Sequence, residues 1–184
     1  HALASVYQDN GQIGEAVKLL EHVVAVEETT LAEEHPSRLA SQHELASAYQ
    51  ANGQIGEAVK LLKHVVAVQE TTLAGEHPDR LASQYALASA YQADGQIGEA
   101  VKLLKYVVAV YETTLAEEHP SRLSSQHTLA IAYQADGQIG EAVKLLEHVV
   151  AVRETTLAEE HPSRLSSQHA LAIVKQVYEK ERWH

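Results

Sequence analysis

The chain has 184 residues, no cysteine, and a formal net charge of −11 with its histidines neutral. Without cysteine it can build neither a disulfide framework nor a thiolate metal site, and so acidic a chain is a poor match for a phosphate backbone, which clustered Lys and Arg hold. No apolar run approaches the roughly 18–20 residues that cross a bilayer and no signal peptide opens the chain, so neither nucleic acid nor membrane is an expected partner and a reducing, cytoplasmic setting fits.

The decapeptide GQIGEAVKLL begins at Gly11, Gly53, Gly95 and Gly137, 42 residues apart each time. YQ stands before every copy, and VVAV, ETTLA, HP and RL follow in fixed register. The chain is therefore four near-copies of one unit, 1–42, 43–84, 85–126 and 127–168, with a divergent tail, 169–184. A fixed period of about 20–50 residues marks a stacked repeat architecture. One array over 1–184 is expected, its repeats sharing a continuous core. It opens on HALAS, part way through a unit, and reads as a piece of a longer protein.

Each unit predicts two helices. In helix A, Pro36 suits a first turn, where its missing N–H costs nothing. Leu39, Leu45, Ala46 and Tyr49, with Gln42 between them, then recur at helical spacing up to about Ala51. Gly53 can take the left-handed conformation that closes a helix. Helix B starts near Ile55 and ends near Leu73. Ile55, Ala58, Val59, Leu61, Leu62, Val65, Val66 and Val68 cover too wide an arc for one face, so helix B must be covered from more than one side. AGEH turns the chain before Pro78 begins the next helix A. No strand alternation survives in this pattern. GQIG reads as a tight helix–helix turn rather than a phosphate cradle, because it lacks the GxGxxG spacing, a preceding strand and a P-loop Lys.

The run Leu45, Ala46, Tyr49, Gly53, Ile55 and Ala58, repeated as Leu87, Ala88, Tyr91, Gly95, Ile97 and Ala100, resembles the tetratricopeptide repeat family. The longer period and the frame HP…LA..Y…G…EA resemble the kinesin-light-chain variant. The near-identical copies with LAEEHPSRLASQ are similar to repeats that close fungal NOD-like receptors. The resemblance implies an all-α, right-handed helix-pair solenoid and a non-enzymatic binding role. Leu62 stands where the family usually has an aromatic, and the closing Pro is absent. Kinesin light chains often carry Asn before the LA of helix A, facing cargo; here those positions are Ala2, Glu44, Ala86, Thr128 and Ala170. In this family helix A lines the concave side.

On that stripe lie His43, Glu44, Ser47 and Gln50, then Tyr85, Ser89 and Gln92, then His127, Thr128, Ile131 and Gln134. Leu45, Ala46 and Tyr49 never change between copies, whereas the first, second, fifth and ninth residues do: Tyr85 against His43, Glu44 against Thr128, Ile131 against Ser47, Asp9 against Ala51. Spacings of three, four and seven put most of them on one helical face. Two readings stay open, free variation on a solvated face and altered groove chemistry on a fixed scaffold. On the second, a Tyr/His/Gln ladder suits peptide capture by stacking and amide hydrogen bonds. One helix B position varies even more, as Glu27, Gln69, Tyr111 and Arg153; the sequence leaves its place relative to the groove open, with a rim and the convex back both available.

Twelve histidines raise a metal hypothesis. His35, His77, His119 and His161 each precede Pro, but equivalent positions on packed helices are on the order of 10 Å apart, too far to share a zinc ion whose Zn–N bonds are about 2.0–2.1 Å. A cap or turn role is expected, with no metal and no cofactor. His22, His64 and His148, with Tyr106 in register, are expected half-buried on helix B. The pairs Glu33/Glu34, Glu117/Glu118 and Glu159/Glu160 read as solvated turns, and no Ser–His–Asp constellation is identifiable, so catalysis is not expected.

The tail keeps Leu171 and Ala172 in phase but has Lys175 for the Tyr and Glu179 for the Gly. It is expected to form a capping helix over 169–184, with Val174, Val177 and Tyr178 covering the last helix B and Trp183 packing at the edge. The function expected is a protein- or peptide-binding array with a concave helix A groove, the sensor part of a larger receptor. The alternative is a scaffold that self-associates through exposed ends and takes no separate ligand.

Overall fold

The computed structural model describes residues 13–182. Among them lie eight α-helices and no strand: α1 (Ile13–Thr30), α2 (Pro36–Ala51), α3 (Ile55–Thr72), α4 (Pro78–Ala93), α5 (Ile97–Thr114), α6 (Pro120–Ala135), α7 (Ile139–Thr156) and α8 (Pro162–Arg182). The helix-pair fold class read from the period is the observed one, with α2, α4 and α6 as helix A, α8 as the last helix A carrying the tail, and α1, α3, α5 and α7 as helix B. The chain divides into two compact units, 1–96 and 97–184.

The repeated motifs have identifiable local roles. At every HP, the His is the N-cap and Pro the first helical residue; His35 Nδ1 accepts from the Ser37 N–H at 3.2 Å, and His77, His119 and His161 do the same for residues 79, 121 and 163. This occupies one of the four amide groups that a helix start leaves without partners. At the NG or DG of the described residues, Gly53, Gly95 and Gly137 close helix A with positive φ. Gly53 has φ 78°, and the Gln54 N–H reaches the Tyr49 carbonyl at 2.8 Å while Gly53 N–H reaches Gln50, the paired bonds of a Schellman stop. The Arg of RL ties helix A to the end of the preceding helix B: Arg38, Arg80, Arg122 and Arg164 donate to the carbonyls of Leu31, Leu73, Leu115 and Leu157. The Gln of SQ does the same deeper down, with Gln42, Gln84, Gln126 and Gln168 donating to Glu28, Glu70, Glu112 and Glu154.

In the first unit α2 packs on α1, α3 packs on both α2 and α4, and α2 touches α4 directly. Helix B is thus covered from two sides, as its wide apolar arc demands. On α3 the buried residues are Ala58, Val59, Leu62, Val65, Val66 and Gln69, and Leu62 is 0% exposed. Each such Leu stabilises the fold by about 1.5–3 kcal/mol through burial. Around α1 the core joins Leu20 and Val24 to Leu45 and Ala48, with Tyr49 at its margin; the Tyr49 hydroxyl donates to Glu21 at 2.9 Å. Burial first, then that bond and the Glu21 charge, push the Tyr49 phenol up to about 12.

The second unit repeats the plan with α7 between α6 and α8. The tail does not form a helix of its own: 169–182 continues the helix that begins at Pro162. Val174 is fully buried and Val177 packs beside it on the cluster of Ile139, Val143 and Leu146. Tyr178 covers less than expected, staying exposed with its ring edge against Gly140. Trp183, Asp9 and helix A of the first repeat lie outside the described residues. Two positions expected to be half-buried are exposed, His22 and Tyr106. His64 and His148 are half-buried, with Glu33 at 3.5 Å from His64 and Glu117 at 3.6 Å from His148.

Candidate functional site

In the first unit a cavity of about 490 Å³ opens between the N-terminal halves of α2 and α4, with the last turn of α3 as its floor. His43 and Glu44, both expected on the binding stripe, line it. Ser47 and Gln50, farther along α2, do not; the Ser47 hydroxyl donates to its own helix at the His43 carbonyl. On α4, Tyr85, Ser89 and Gln92 are half-buried, and the Ser89 hydroxyl likewise donates to the Tyr85 carbonyl.

The floor of the cavity holds a residue whose place the sequence left open. Gln69 occupies the most variable helix B position, yet it is only 4% exposed and lines the cavity beside His43. It is neither at a rim nor on an outer back. Its Oε1 is buried and has no hydrogen-bond partner, and the same holds for Nε2 of His43. The His43 ring interacts with the backbone of Ala82. Burial lowers the His43 pKa, against smaller raising effects of the Ala82 bond and the charges of Glu44 and Asp79. The signal was present in the helical period: residue 69 lies three after Val66 and seven after Leu62, on the buried arc.

The second unit answers the same geometry differently. Arg153 on α7 stands in register with Gln69 and is 5% exposed. Its guanidinium donates to the Ser163 carbonyl at 2.8 Å and to the Ser167 hydroxyl. Ser167 Oγ lies 3.0 Å from His127 Nδ1. Arg can only donate, so the Ser167 oxygen accepts from it and links the guanidinium to the His127 ring. Burial, and secondarily the Arg153 charge, lower the His127 pKa; burial lowers that of Arg153 as well. Thr128 donates to the Ser124 carbonyl, Gln134 is half-buried, and Ile131 packs against the core rather than offering a polar contact. Glu27 on α1 and Tyr111 on α5 hold the same register position in the other repeats and are half-buried.

Among the described residues no group of three or more His, Asp or Glu is placed to hold a metal ion, and no helix is long and apolar enough to cross a membrane.

This assembly of capped helix pairs with a polar floor position between successive helix A segments defines a class of repeat protein. The chain matches the tetratricopeptide repeat family over residues 1–71, 37–113, 79–155 and 121–180, overlapping windows that cover almost all of it, and it belongs to that family. Among solved structures it is similar to a Podospora anserina kinesin light chain-like protein of nearly identical TPR-like repeats, with 64% identity over 99% of this chain and 86% of that one and a TM-score of 0.89. A point variant of that protein gives 62% identity and a TM-score of 0.91 over the same shares. BtubC (BKLC) from P. vanneervenii shares the fold, with 16% identity, a TM-score of 0.80, and coverage of 95% of this chain and 69% of that one. No match was found among curated proteins. Tetratricopeptide repeats are generally scaffolds for protein interaction.

Proposed function

We propose that the chain is a non-enzymatic module that binds a protein or peptide segment along its helix A face, the four repeats serving as one array in the sensor part of a larger cytoplasmic receptor. The observation that carries this reading is the cavity between α2 and α4, where two buried polar atoms, Gln69 Oε1 and His43 Nε2, have no partner within the chain. An unmet buried polar group costs about 1–3 kcal/mol, a cost that a ligand donor relieves. The pattern of variation supports the same reading: the capping His-Pro, the closing Gly and the buried Leu and Val of helix B are identical from repeat to repeat, while His43/Tyr85/His127 and the helix B floor position change. Ser47, Gln50, Ser89, Gln92, Ile131 and Gln134 extend the proposed surface along the same helices.

The test is selection of peptides from a displayed library, followed by Tyr85→Ala with His127→Ala. Affinity for a selected peptide should fall about tenfold or more, the effect of losing interface anchors, while far-UV circular dichroism stays the same. Unchanged affinity would remove the helix A face as the site. A mass that rises with concentration, with no peptide selected, would favour a self-associating scaffold instead.

A further inference from the structure

We infer that the cavity between α2 and α4 is a socket for an arginine side chain of the bound segment, an assignment that rests on the peptide-binding reading above. The second unit contains an internal precedent. There, at the register of Gln69, the Arg153 guanidinium already lies between helix A and the following helix, bonded to the Ser163 carbonyl and the Ser167 hydroxyl beside His127. In the first unit the shorter Gln69 leaves that place open, and Asp79 and Ser83, in register with Ser163 and Ser167, line the space.

The charges change in the matching sense. Where the second unit has Arg153, Thr128 and Ser163, the first has Gln69, Glu44 and Asp79. One fixed cation is removed and two carboxylates are added around the same hole. Two buried polar atoms there have no partner, the acceptor Gln69 Oε1 and His43 Nε2, and the carboxylates of Glu44 and Asp79 line the same space. A ligand that fits this place donates hydrogen bonds and carries positive charge. A guanidinium presents five donors in a rigid plane and binds carboxylates in fork geometry. A lysine ammonium matches the charge but, as a compact point donor, spans separated acceptors less well. Citrulline keeps the shape and loses the charge.

The probe is Nα-acetyl-arginine N-methylamide, titrated into the full chain at low ionic strength and read through backbone amide shifts. Saturable shifts should concentrate at His43, Glu44, Gln69 and Asp79, with weak affinity on the order of millimolar, as expected of one side chain. The citrulline analogue should leave them unmoved. Gln69→Arg, which fills the hole as Arg153 does in the other unit, should weaken the probe about tenfold or more with helicity intact. Equal response to citrulline, shifts located elsewhere, or unaltered affinity in Gln69→Arg would overturn the assignment. A library-selected peptide that needs the helix A face but tolerates loss of every Arg would also overturn it, while leaving the wider reading standing. Probe binding at the socket in a chain that selects no peptide would support the socket and remove the wider reading.

Discussion

The two units share a frame and differ at the floor of a groove. Leu62 and Leu146 are both fully buried at the same register, and His77 and His161 cap the next helix in the same way. Yet seven residues after the leucine one unit has an unmet amide in an open cavity, and the other a guanidinium bonded to a serine and a backbone carbonyl. Identity of scaffold with difference of floor is how a repeat protein can alter what it holds without altering how it folds. Because neighbouring repeats contribute both walls, one substitution on helix B changes a groove that two helix A segments frame.

The comparison can be pressed hardest at the part that should not differ. Leu62→Ala and Leu146→Ala should each destabilise by about 2–5 kcal/mol, through lost burial and the cavity left behind. Urea unfolding followed by circular dichroism should give similar losses for the two; a several-fold disparity would mean that the cores are not equivalent. The next effect should be unequal. Ser167→Ala removes the hydroxyl that joins Arg153 to His127 and should cost about 1–3 kcal/mol. Ser83→Ala, at the matching place with no guanidinium to anchor, should cost less in the same assay, and equal losses would break the contrast.

The smallest effect is one of pH. The folded-state pKa values of His43 and His127 are both lowered, chiefly by burial, below the ordinary value of 6.5. A base held neutral in the fold binds fewer protons than in the unfolded chain. Its contribution is therefore full above the unfolded value and is lost as pH falls from there through the folded one. Urea midpoints should decline as pH drops below about 6.5, and His43→Asn with His127→Asn should flatten that decline. Arg153→Gln removes only the smaller cause of the His127 shift, so it should soften the His127 part slightly and leave the His43 part as it is; a larger change in the His43 part than in the His127 part would contradict this arrangement.

The frame was legible because its signals are local and repeated. Pro after His, Gly after Asn or Asp, and a wide apolar arc each specify backbone geometry within a few residues. His43 and Glu44 drew notice because they vary beside invariant packing positions, and both line the cavity between α2 and α4. The place of Gln69 and Arg153 stayed open. Variation suggested exposure, and a polar residue on a buried arc looks like a surface residue until the helix that covers it is known. His22 and Tyr106 failed for the opposite reason: a semi-apolar residue beside the arc suggested cover, and what comes near that position is a tertiary fact, as Glu33 beside His64 shows.

The central claim is that the helix B floor residue, with the carboxylates above it, decides what each groove accepts. It is tested most directly by giving the second unit the first unit's chemistry, Arg153→Gln with Thr128→Glu and Ser163→Asp, and titrating the arginine probe while following amide shifts. A second saturable set of shifts should then arise around His127 and Ser167, absent from the parent chain and absent with the citrulline analogue. A chain that gains no arginine response at His127 and Ser167, or that answers citrulline equally, would contradict that claim.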